Sequence, residues 1–457
     1  MAAATVMRWA VAGRVASVVR HVGVRRVSTT GGVGLPPPAT EGPLTGMRVV
    51  DFTRILAGPW CTMLLGDMGA DVIKVEAVDK GDDTRSWGPP FLPHAGHAGG
   101  GGSKRGESAY FLCCNRNKRS LALDIKAREG RAIVHALVAG ADVFVENFLP
   151  GKLAALGYGY EELAAINPRL VYASISGFGA TGPLAQRAGY DVAIAAQGGL
   201  MSITGPEGGG EPVKVGVAVT DLATGLYMHG AILAALLARG RTGRGQHVDT
   251  SLLECQVANL ANIGSNVLLA DTPTRRWGTA HESIAPYQAF ATSDSAFILA
   301  AMNDAQFRSL AGVVGHPEWA HDPRFATNPA RVAHRSTLIP ALAAVLATGT
   351  REHWMTRLAA VGVTVAPINS VREALDEPQV AARGMVAEVP HPGLAAPLRL
   401  VAPPVKYSDP AAGVSIRLPP PMLGQHTRDV LGSLGYDAAA IDRLAAARIV
   451  AAPPALQ

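Results

Sequence analysis

The 457-residue chain is poor in cysteine, aromatic residues and charge. Its cysteines, Cys61, Cys113, Cys114 and Cys255, form no CxxC pair and no Cys/His metal spacing, which excludes a disulfide framework and a zinc site. We interpret them as reduced thiols in a reducing compartment. Charged residues make up 17% and aromatic residues 5%, but 48% of the residues are apolar. That composition excludes a disordered chain and predicts a globular protein, long enough for two domains.

A basic surface field is also absent, although the formal net charge is +5. The excess lies in residues 1–40, which contain five arginines and no acidic residue, and the remaining chain has 36 basic and 36 acidic residues. Because the body of the chain is neutral and has no basic stripe interleaved with aromatic residues, a nucleic-acid partner is not expected.

The N-terminal segment has the composition of a targeting sequence. Residues 1–30 place arginines among alanine and valine and end in Ser-Thr-Thr, which predicts a mitochondrial transit peptide and a matrix location. A retained amphipathic helix is the alternative. Residues 31–46 are rich in glycine and proline and read as a linker. No later run of about 18 apolar residues occurs, so we expect no membrane-spanning segment.

Short apolar strands then alternate with helical patterns. Strands are predicted near residues 48–52, 72–76, 120–124, 142–146 and 170–175, with helices between them. This alternation predicts an α/β fold with a parallel sheet covered on both faces.

The same pattern divides the chain into parts. We predict a large domain over residues 47–250, a smaller α/β domain over 275–375, and a C-terminal segment, 390–457, that returns to the large domain. Residues 77–108 are rich in glycine, proline and charge, and we predict a surface loop there.

Six segments in order resemble class III CoA-transferases, the CaiB/BaiF family. They are DFTRILAGPW (51–60), LGDMGADVIKVE (65–76), NRNKRSLALDIK (115–126), FVENFLPGKLAALGYGYEEL (144–163), YASISGFGATGPLAQRAGYD (172–191) and TDLATGLYMHGAILAALLARGRTGRGQHVD (220–249). The string RWGTAHESIAPYQAF (276–290) is similar to the mitochondrial succinyl-CoA:glutarate branch. The resemblance implies a Rossmann-like large domain with a parallel sheet, a smaller α/β domain, and a homodimer of interlocked rings.

The resemblance places the catalytic carboxylate at Asp191, in the AGYD segment. A carboxylate can attack an acyl-CoA thioester and form an anhydride without a general base, because it is already ionised near neutral pH. Gly198 and Gly199, which follow, are candidate backbone donors to the developing oxyanion. Read from the residues alone, Asp191 is a helix cap before the apolar run 192–196. Both roles remain open at this point.

The resemblance also implies a set of CoA-binding residues, most of them directly after predicted strands, where open parallel sheets bind ligands. They are Arg54, Ile55, Leu56, Ala57, Leu123, Lys126, Asn147, Phe148 and Leu149. Lys126 would neutralise phosphate charge, although a solvated lysine is the alternative. The chain departs from the family pattern at Ala77 and Ala155, where other members carry arginines, and this leaves the adenine contacts open.

By resemblance the substrates are succinyl-CoA and a small dicarboxylate such as glutarate or 3-hydroxy-3-methylglutarate. The distal carboxylate of a dicarboxylate needs a cationic anchor, for which Arg85, Arg187, Arg276 and His281 are candidates. Each of the arginines also fits an ordinary ion pair. The CoA thioesters are themselves substrates, and neither a metal nor a redox cofactor is expected.

Two other functions compete with transfer. An α-methylacyl-CoA racemase of the same fold needs two opposed acid/base groups, one of them a histidine upstream of the catalytic aspartate. The chain has no histidine between Gly157 and Asp191, which argues against racemisation. A CoA-binding protein without turnover is the second alternative, and in that case Asp191 would be structural.

Overall fold

The computed structural model describes residues 42–94, 106–409 and 413–453. The predicted transit peptide, residues 1–30, lies outside the described residues, as does most of the predicted linker. Both therefore stay predictions, and so do the predicted domain boundaries.

The strands are short and mostly buried where they belong to the central sheet. In chain order they are β1 Arg48–Asp51, β2 Asp71–Glu76, β3 Phe91–Leu92, β4 Glu107–Ser108, β5 Lys118–Leu123, β6 Val143–Glu146, β7 Val171–Ser176, β8 His247–Ser251, β9 Tyr287–Ala291, β10 Ala296–Ala300, β11 Thr364–Pro367, β12 Val386–Val389, β13 Leu398–Val401 and β14 Val450–Ala451.

The helices alternate with the strands over most of the chain. They are α1 Ala57–Asp67, α2 Ala109–Cys113, α3 Arg128–Ala139, α4 Tyr160–Ile166, α5 Asp191–Gln197, α6 Leu200–Ile203, α7 Val219–Thr242, α8 Leu252–Ala258, α9 Ala261–Ala270, α10 Asp304–Val313, α11 Asn328–Ala333, α12 Arg335–Leu346, α13 Arg351–Ala360, α14 Val371–Asp376, α15 Pro378–Ala382, α16 Thr427–Ser433 and α17 Ala438–Ala446.

A seven-stranded sheet with the order β14-β5-β2-β1-β6-β7-β8 organises the molecule. Every neighbouring pair is parallel except β14 and β5, which are antiparallel. The predicted α/β class with a large parallel sheet is confirmed. From β1 the chain continues to β2 and β5 on one side, and then crosses to β6, β7 and β8 on the other. Open sheets of this kind bind ligands at the carboxyl ends of the strands where the order reverses, here β1 and β6.

The two faces of the sheet carry separate apolar cores because successive side chains of a strand point in opposite directions. Val50 packs with residues of α3 and α16 on one face. Val49 packs with residues of α1 and α7 on the other. Burial on both faces explains why adjacent positions of β1 and β6 are both apolar in the sequence.

The second half of the described chain contains a separate three-stranded antiparallel sheet, with the order β11-β10-β9. Its own core includes Phe297 and Leu299 together with residues of α10, α12 and α13. The segment predicted as a loop over residues 77–108 is partly regular, because β3 and β4 pair within it. The C-terminal strand β14 pairs with β5, so this end of the chain lies against the central sheet.

Helix α7 is long and apolar enough to cross a membrane by length and composition. In this structure it packs along α1 and the sheet, and the guanidinium of Arg239 on α7 is buried and donates to Asp142 Oδ1 at 2.8 Å. One side of α7 therefore belongs to the core beside the large sheet, while Leu226, Tyr227 and Leu237 of α7 are exposed in the isolated chain.

Candidate active site

A cavity of about 220 Å³ opens at the carboxyl ends of β1 and β6, where the strand order reverses. It brings together two of the segments predicted to bind CoA, 54–57 and 147–149. Its lining residues are Arg54, Ile55, Leu56, Ala57, Asn147, Phe148, Leu149, Lys152, Ile175, Ser176, Gly177, Ala188, Gly189, Tyr190, Asp221 and Leu252.

A buried ion pair fixes the position of the loop after β1. Lys74 Nζ lies 2.8 Å from Asp82 Oδ2 and donates to Thr53 O at 2.9 Å, and both charged side chains are fully buried. Asp82 Oδ1 accepts the N–H of Ile55, which has a left-handed φ of 72°. Burial alone would raise the pKa of Asp82, but the Lys74 charge and hydrogen bonds from Thr84 outweigh burial and lower it to about 2.

Asn147 joins the loops after β1 and β6. Its Oδ1 accepts the N–H of Arg54 at 2.9 Å, and its Nδ2 donates to Arg54 O at 2.8 Å. The Arg54 guanidinium lies over the Phe148 ring, 5.1 Å from the centroid, and pairs with Asp83 at 3.2 Å. The Asn147 side chain therefore positions the Arg54 loop.

A second cavity, of about 700 Å³, adjoins the first and shares Arg54, Phe148 and Lys152 with it. It brings in the other two predicted CoA residues, Leu123 and Lys126. Its lining residues are Phe52, Thr53, Arg54, Lys74, Val75, Glu76, Ala77, Val78, Asp79, Lys80, Gly81, Asp82, Leu123, Asp124, Ile125, Lys126, Phe148, Lys152, Leu156, Ala447, Arg448 and Ile449. No role was predicted from the sequence for Lys152, Lys80 or Arg448.

The assignment of Asp191 as the reacting carboxylate stays a prediction, and the structure shows what its side chain contacts. Asp191 is not among the lining residues of the cavity, although Tyr190 is. Asp191 Oδ1 accepts the N–H groups of Thr220 at 2.9 Å and Asp221 at 3.2 Å. Asp191 begins α5 but makes no side-chain cap on that helix, so it caps the N-terminus of α7 instead. A carboxylate there is favoured by the α7 dipole.

Asp221 is the one acidic residue among the described residues that line the first cavity. It lies in the first turn of α7, is only 9% exposed, and lines the cavity with the Arg54 loop. Burial, and then the negative charge of Asp191, raise the pKa of Asp221 to about 7. A buried carboxyl with a raised pKa in a cleft is typical of a functional group. Asp221 lies in the segment 220–249 that resembles the family, and no role was predicted for it from the sequence.

The structure separates the two candidate glycine donors from the Asp191 carboxylate. Gly198 and Gly199 follow the C-terminus of α5, whereas Asp191 begins it, and seven residues of helix span about 10 Å. The Gly198 N–H donates to Ile194 O at 2.6 Å within the helix. In this conformation that N–H is not available to an oxyanion.

None of the four candidate carboxylate anchors is among the lining residues of the two cavities. The Arg85 guanidinium already has partners within the protein. It donates to both Glu76 carboxylate oxygens, at 2.7 and 2.8 Å, and lies over the Phe111 ring.

The other three anchors differ in what their side chains contact. Arg187 is exposed and lies over Phe178. His281 Nδ1 accepts the N–H of Ser283. Arg276 keeps one buried nitrogen, Nη1, without a hydrogen-bond partner among the described residues.

The ionisable side chains around these cavities are mainly carboxyl groups and lysines, and the nearest histidine in a lining is His247, in a third cavity that shares Phe148, Leu149 and Ser176 with the first. No histidine is among the described lining residues of either cavity. Among the residues that the structure describes, no group of three or more His, Cys, Asp or Glu side chains is arranged to hold a metal ion.

Comparisons with known proteins agree with this fold. A model of CoA-transferase family III matches residues 44–427. The succinyl-CoA:glutarate CoA-transferase of Mus musculus is 46% identical over 409 residues, which are 89% of this chain and 90% of that protein. The succinate–glutarate CoA-transferase of Agrobacterium fabrum is 43% identical over 403 residues, 87% of this chain and 97% of that protein.

A solved structure is also similar over nearly its whole length. The crystal structure of a CaiB/BaiF family protein from Brucella suis superimposes with a TM-score of 0.75 at 45% identity, covering 86% of this chain and 100% of that one. The family match spans most of the chain, and the relatives are matched over most of their own length. The chain therefore belongs to CoA-transferase family III and is a CoA-transferase.

Proposed function

We propose that this enzyme transfers CoA from succinyl-CoA to a small dicarboxylate, with glutarate as the first acceptor to test and 3-hydroxy-3-methylglutarate as the second. The names of the mouse and Agrobacterium relatives support this choice of substrates. The observation that carries the proposal is the position of Asp221, a buried carboxyl group in the cavity that the Arg54 loop forms.

The first half of the reaction forms an enzyme-bound CoA thioester. An ionised Asp221 oxygen attacks the thioester carbon of succinyl-CoA, the C–S bond breaks, and a mixed anhydride and CoA thiolate result. The thiolate then attacks the aspartyl carbonyl carbon, expels succinate, and leaves an aspartyl-CoA thioester.

The second half reverses these steps with the acceptor. A carboxylate oxygen of glutarate attacks the carbonyl carbon of the aspartyl thioester. The C–S bond breaks, CoA thiolate leaves, and an anhydride between Asp221 and glutarate results. The thiolate next attacks the glutaryl carbonyl carbon, so that glutaryl-CoA leaves and the Asp221 carboxylate is restored. The bridging oxygen, which came from glutarate, stays on Asp221.

The raised pKa of Asp221 suits it to this role. A carboxylate with a pKa of about 7 is more basic than an ordinary aspartate, and nucleophilic strength generally rises with basicity. Asp191 contributes indirectly, because its negative charge raises that pKa while its Oδ1 holds the first turn of α7. Asp191 is thus a positioning residue for Asp221.

The two adjoining cavities suggest how CoA lies on the enzyme. The thioester belongs in the smaller cavity beside Asp221, and the nucleotide belongs in the larger one beside Lys126. Arg54, Phe148 and Lys152 line both cavities and would contact the connecting pantetheine and diphosphate.

We also propose a homodimer in the mitochondrial matrix, with no metal or redox cofactor. Helices α7, α8 and α9 expose several apolar side chains, and Leu268 and Leu269 are each 86% exposed in the isolated chain. Large apolar side chains left exposed on neighbouring helices are typical of an obligate interface. The matrix location depends on the arginine-rich leader, and an unprocessed N-terminus on the mitochondrial protein would contradict it.

The experiment is transfer from succinyl-CoA to glutarate, followed by mass spectrometry of glutaryl-CoA. Wild-type enzyme is compared with Asp221→Asn and with Asp191→Asn, the matched change of a neighbouring carboxylate. We expect transfer to fall by about three orders of magnitude or more in the first variant only. Full activity in a folded Asp221→Asn enzyme would overturn the mechanism. Absence of transfer to either dicarboxylate by the wild type would overturn the substrate assignment.

A further inference from the structure

The larger cavity is bounded on one side by residues 447–449, at the opposite end of the chain from the other residues that line it. This segment follows α17 and precedes β14. None of its residues was expected to contact a ligand from the sequence. The following inference rests on the proposed function, because it takes CoA as the ligand.

The backbone of this segment is fixed at the edge of the cavity. The Arg448 N–H donates to Ala445 O at 2.9 Å, and Ile449 O accepts the N–H of Asp124 at 2.7 Å. Arg448 itself has a left-handed φ of 59°, a conformation that costs a non-glycine residue free energy. The chain therefore presents Arg448 at one defined place beside the loop that carries Lys126.

The Arg448 side chain reaches across to the loop after β2. Arg448 Nη2 lies 2.7 Å from Asp79 Oδ1, and both residues line the cavity. The two side chains are 78% and 73% exposed. Ion pairs as exposed as this contribute little to stability, so a better anionic partner can displace Asp79.

The surroundings favour a phosphate as that partner. Lys80, Lys126 and Lys152 line the same cavity, while Ala77 contributes only a methyl group. The structure shows no ion pair for Lys126 or Lys152 among the described residues, and Lys80 pairs only with Asp83, a partner it shares with Arg54. A guanidinium binds a phosphate through two parallel hydrogen bonds, which a single exposed carboxylate contact does not match.

We propose that Arg448 binds a phosphate group of the CoA nucleotide and leaves Asp79 when CoA enters. The C-terminal segment thereby supplies a cation to the nucleotide site that the loop after β2 lacks at Ala77.

The test is isothermal titration of CoA, and of dephospho-CoA, which lacks the ribose phosphate, into four proteins. They are the wild type, Arg448→Gln, Arg448→Lys and the control Arg443→Gln, which removes an exposed arginine of α17 that lies outside the cavity lining. We expect Arg448→Gln to weaken CoA binding by about 10- to 100-fold, the loss typical of a charged hydrogen bond. Arg448→Lys should recover part of that loss, and Arg443→Gln should bind like the wild type.

The two ligands distinguish which phosphate is bound. Weakening of CoA but not of dephospho-CoA assigns Arg448 to the ribose phosphate, and equal weakening of both assigns it to the diphosphate. Wild-type affinity of Arg448→Gln for both ligands, or equal losses in Arg448→Gln and Arg443→Gln, would overturn the inference. Failure of the wild type to bind CoA would instead overturn the proposed function.

Discussion

Replacing Asp221 by asparagine should abolish transfer and stabilise the fold. The pKa of this carboxyl is about 7, against an ordinary value of 3.8. The folded protein therefore holds the proton more tightly than the unfolded chain does, so stability is lost as pH rises from about 4 to about 7 and changes little above that range. About three pKa units correspond to a destabilisation of at most about 4 kcal/mol at pH 8. Asparagine keeps the shape of the side chain and removes the charge.

Thermal unfolding of both proteins between pH 4 and pH 8 measures this effect. At pH 8 the unfolding temperature of Asp221→Asn should lie several degrees above that of the wild type. Near pH 4 the two unfolding temperatures should be nearly equal. The control is Asp442→Asn, which removes an exposed carboxylate that pairs with Arg428 and should change stability by less than about 1 kcal/mol throughout. Equal midpoints of wild type and Asp221→Asn at pH 8 would refute the reasoning, because a buried charge without compensation must cost stability.

Three further variants test other parts of the site. Asp191→Asn keeps an oxygen that can accept the α7 N–H groups but removes a negative charge, so the pH–activity midpoint set by Asp221 should move to lower pH; an unchanged profile would contradict this. Asn147→Ala removes both hydrogen bonds to the Arg54 backbone and should raise the KM for succinyl-CoA about tenfold with little change in the unfolding midpoint; an unchanged KM would show that this contact does not position the loop. Arg85→Gln breaks a buried ion pair and should destabilise the protein by about 3–5 kcal/mol. A variant of unchanged stability whose KM is raised for glutarate alone would contradict this and would support Arg85 as the anchor of the substrate carboxylate.

The sequence predicted the central sheet well because its strands are buried on both faces. Residues 48–51 and 71–76 each contain adjacent apolar residues between charged ones, and the alternation of such segments with helices indicates parallel pairing. The loops after these strands could also be placed, since parallel strands bring their carboxyl ends to one edge. The segments 54–57 and 147–149 consequently meet at one cavity.

The sequence could not decide which aspartate faces that cavity. Asp191 and Asp221 each precede an apolar helical run, and both fit a helix cap or a nucleophile. The difference between the two aspartates lies in their tertiary contacts. The Asp191 carboxylate accepts a hydrogen bond from the N–H of Thr220, at the N-terminus of α7 and 29 residues away in the chain. Arg85 is a similar case, because its partner Glu76 becomes visible only when the loop after β2 folds back.

Transfer of an oxygen isotope tests the central claim most directly. Enzyme is cycled with succinyl-CoA and glutarate whose carboxylates carry a heavy oxygen isotope, and is then digested with trypsin. Cleavage after Arg187, Lys214 and Arg239 separates peptide 188–214, which contains Asp191, from peptide 215–239, in which Asp221 is the sole acidic residue. The mechanism predicts heavy oxygen in peptide 215–239, located at Asp221. Label in peptide 188–214 at Asp191, or in neither peptide after many turnovers, would contradict the assignment of Asp221 as the nucleophile.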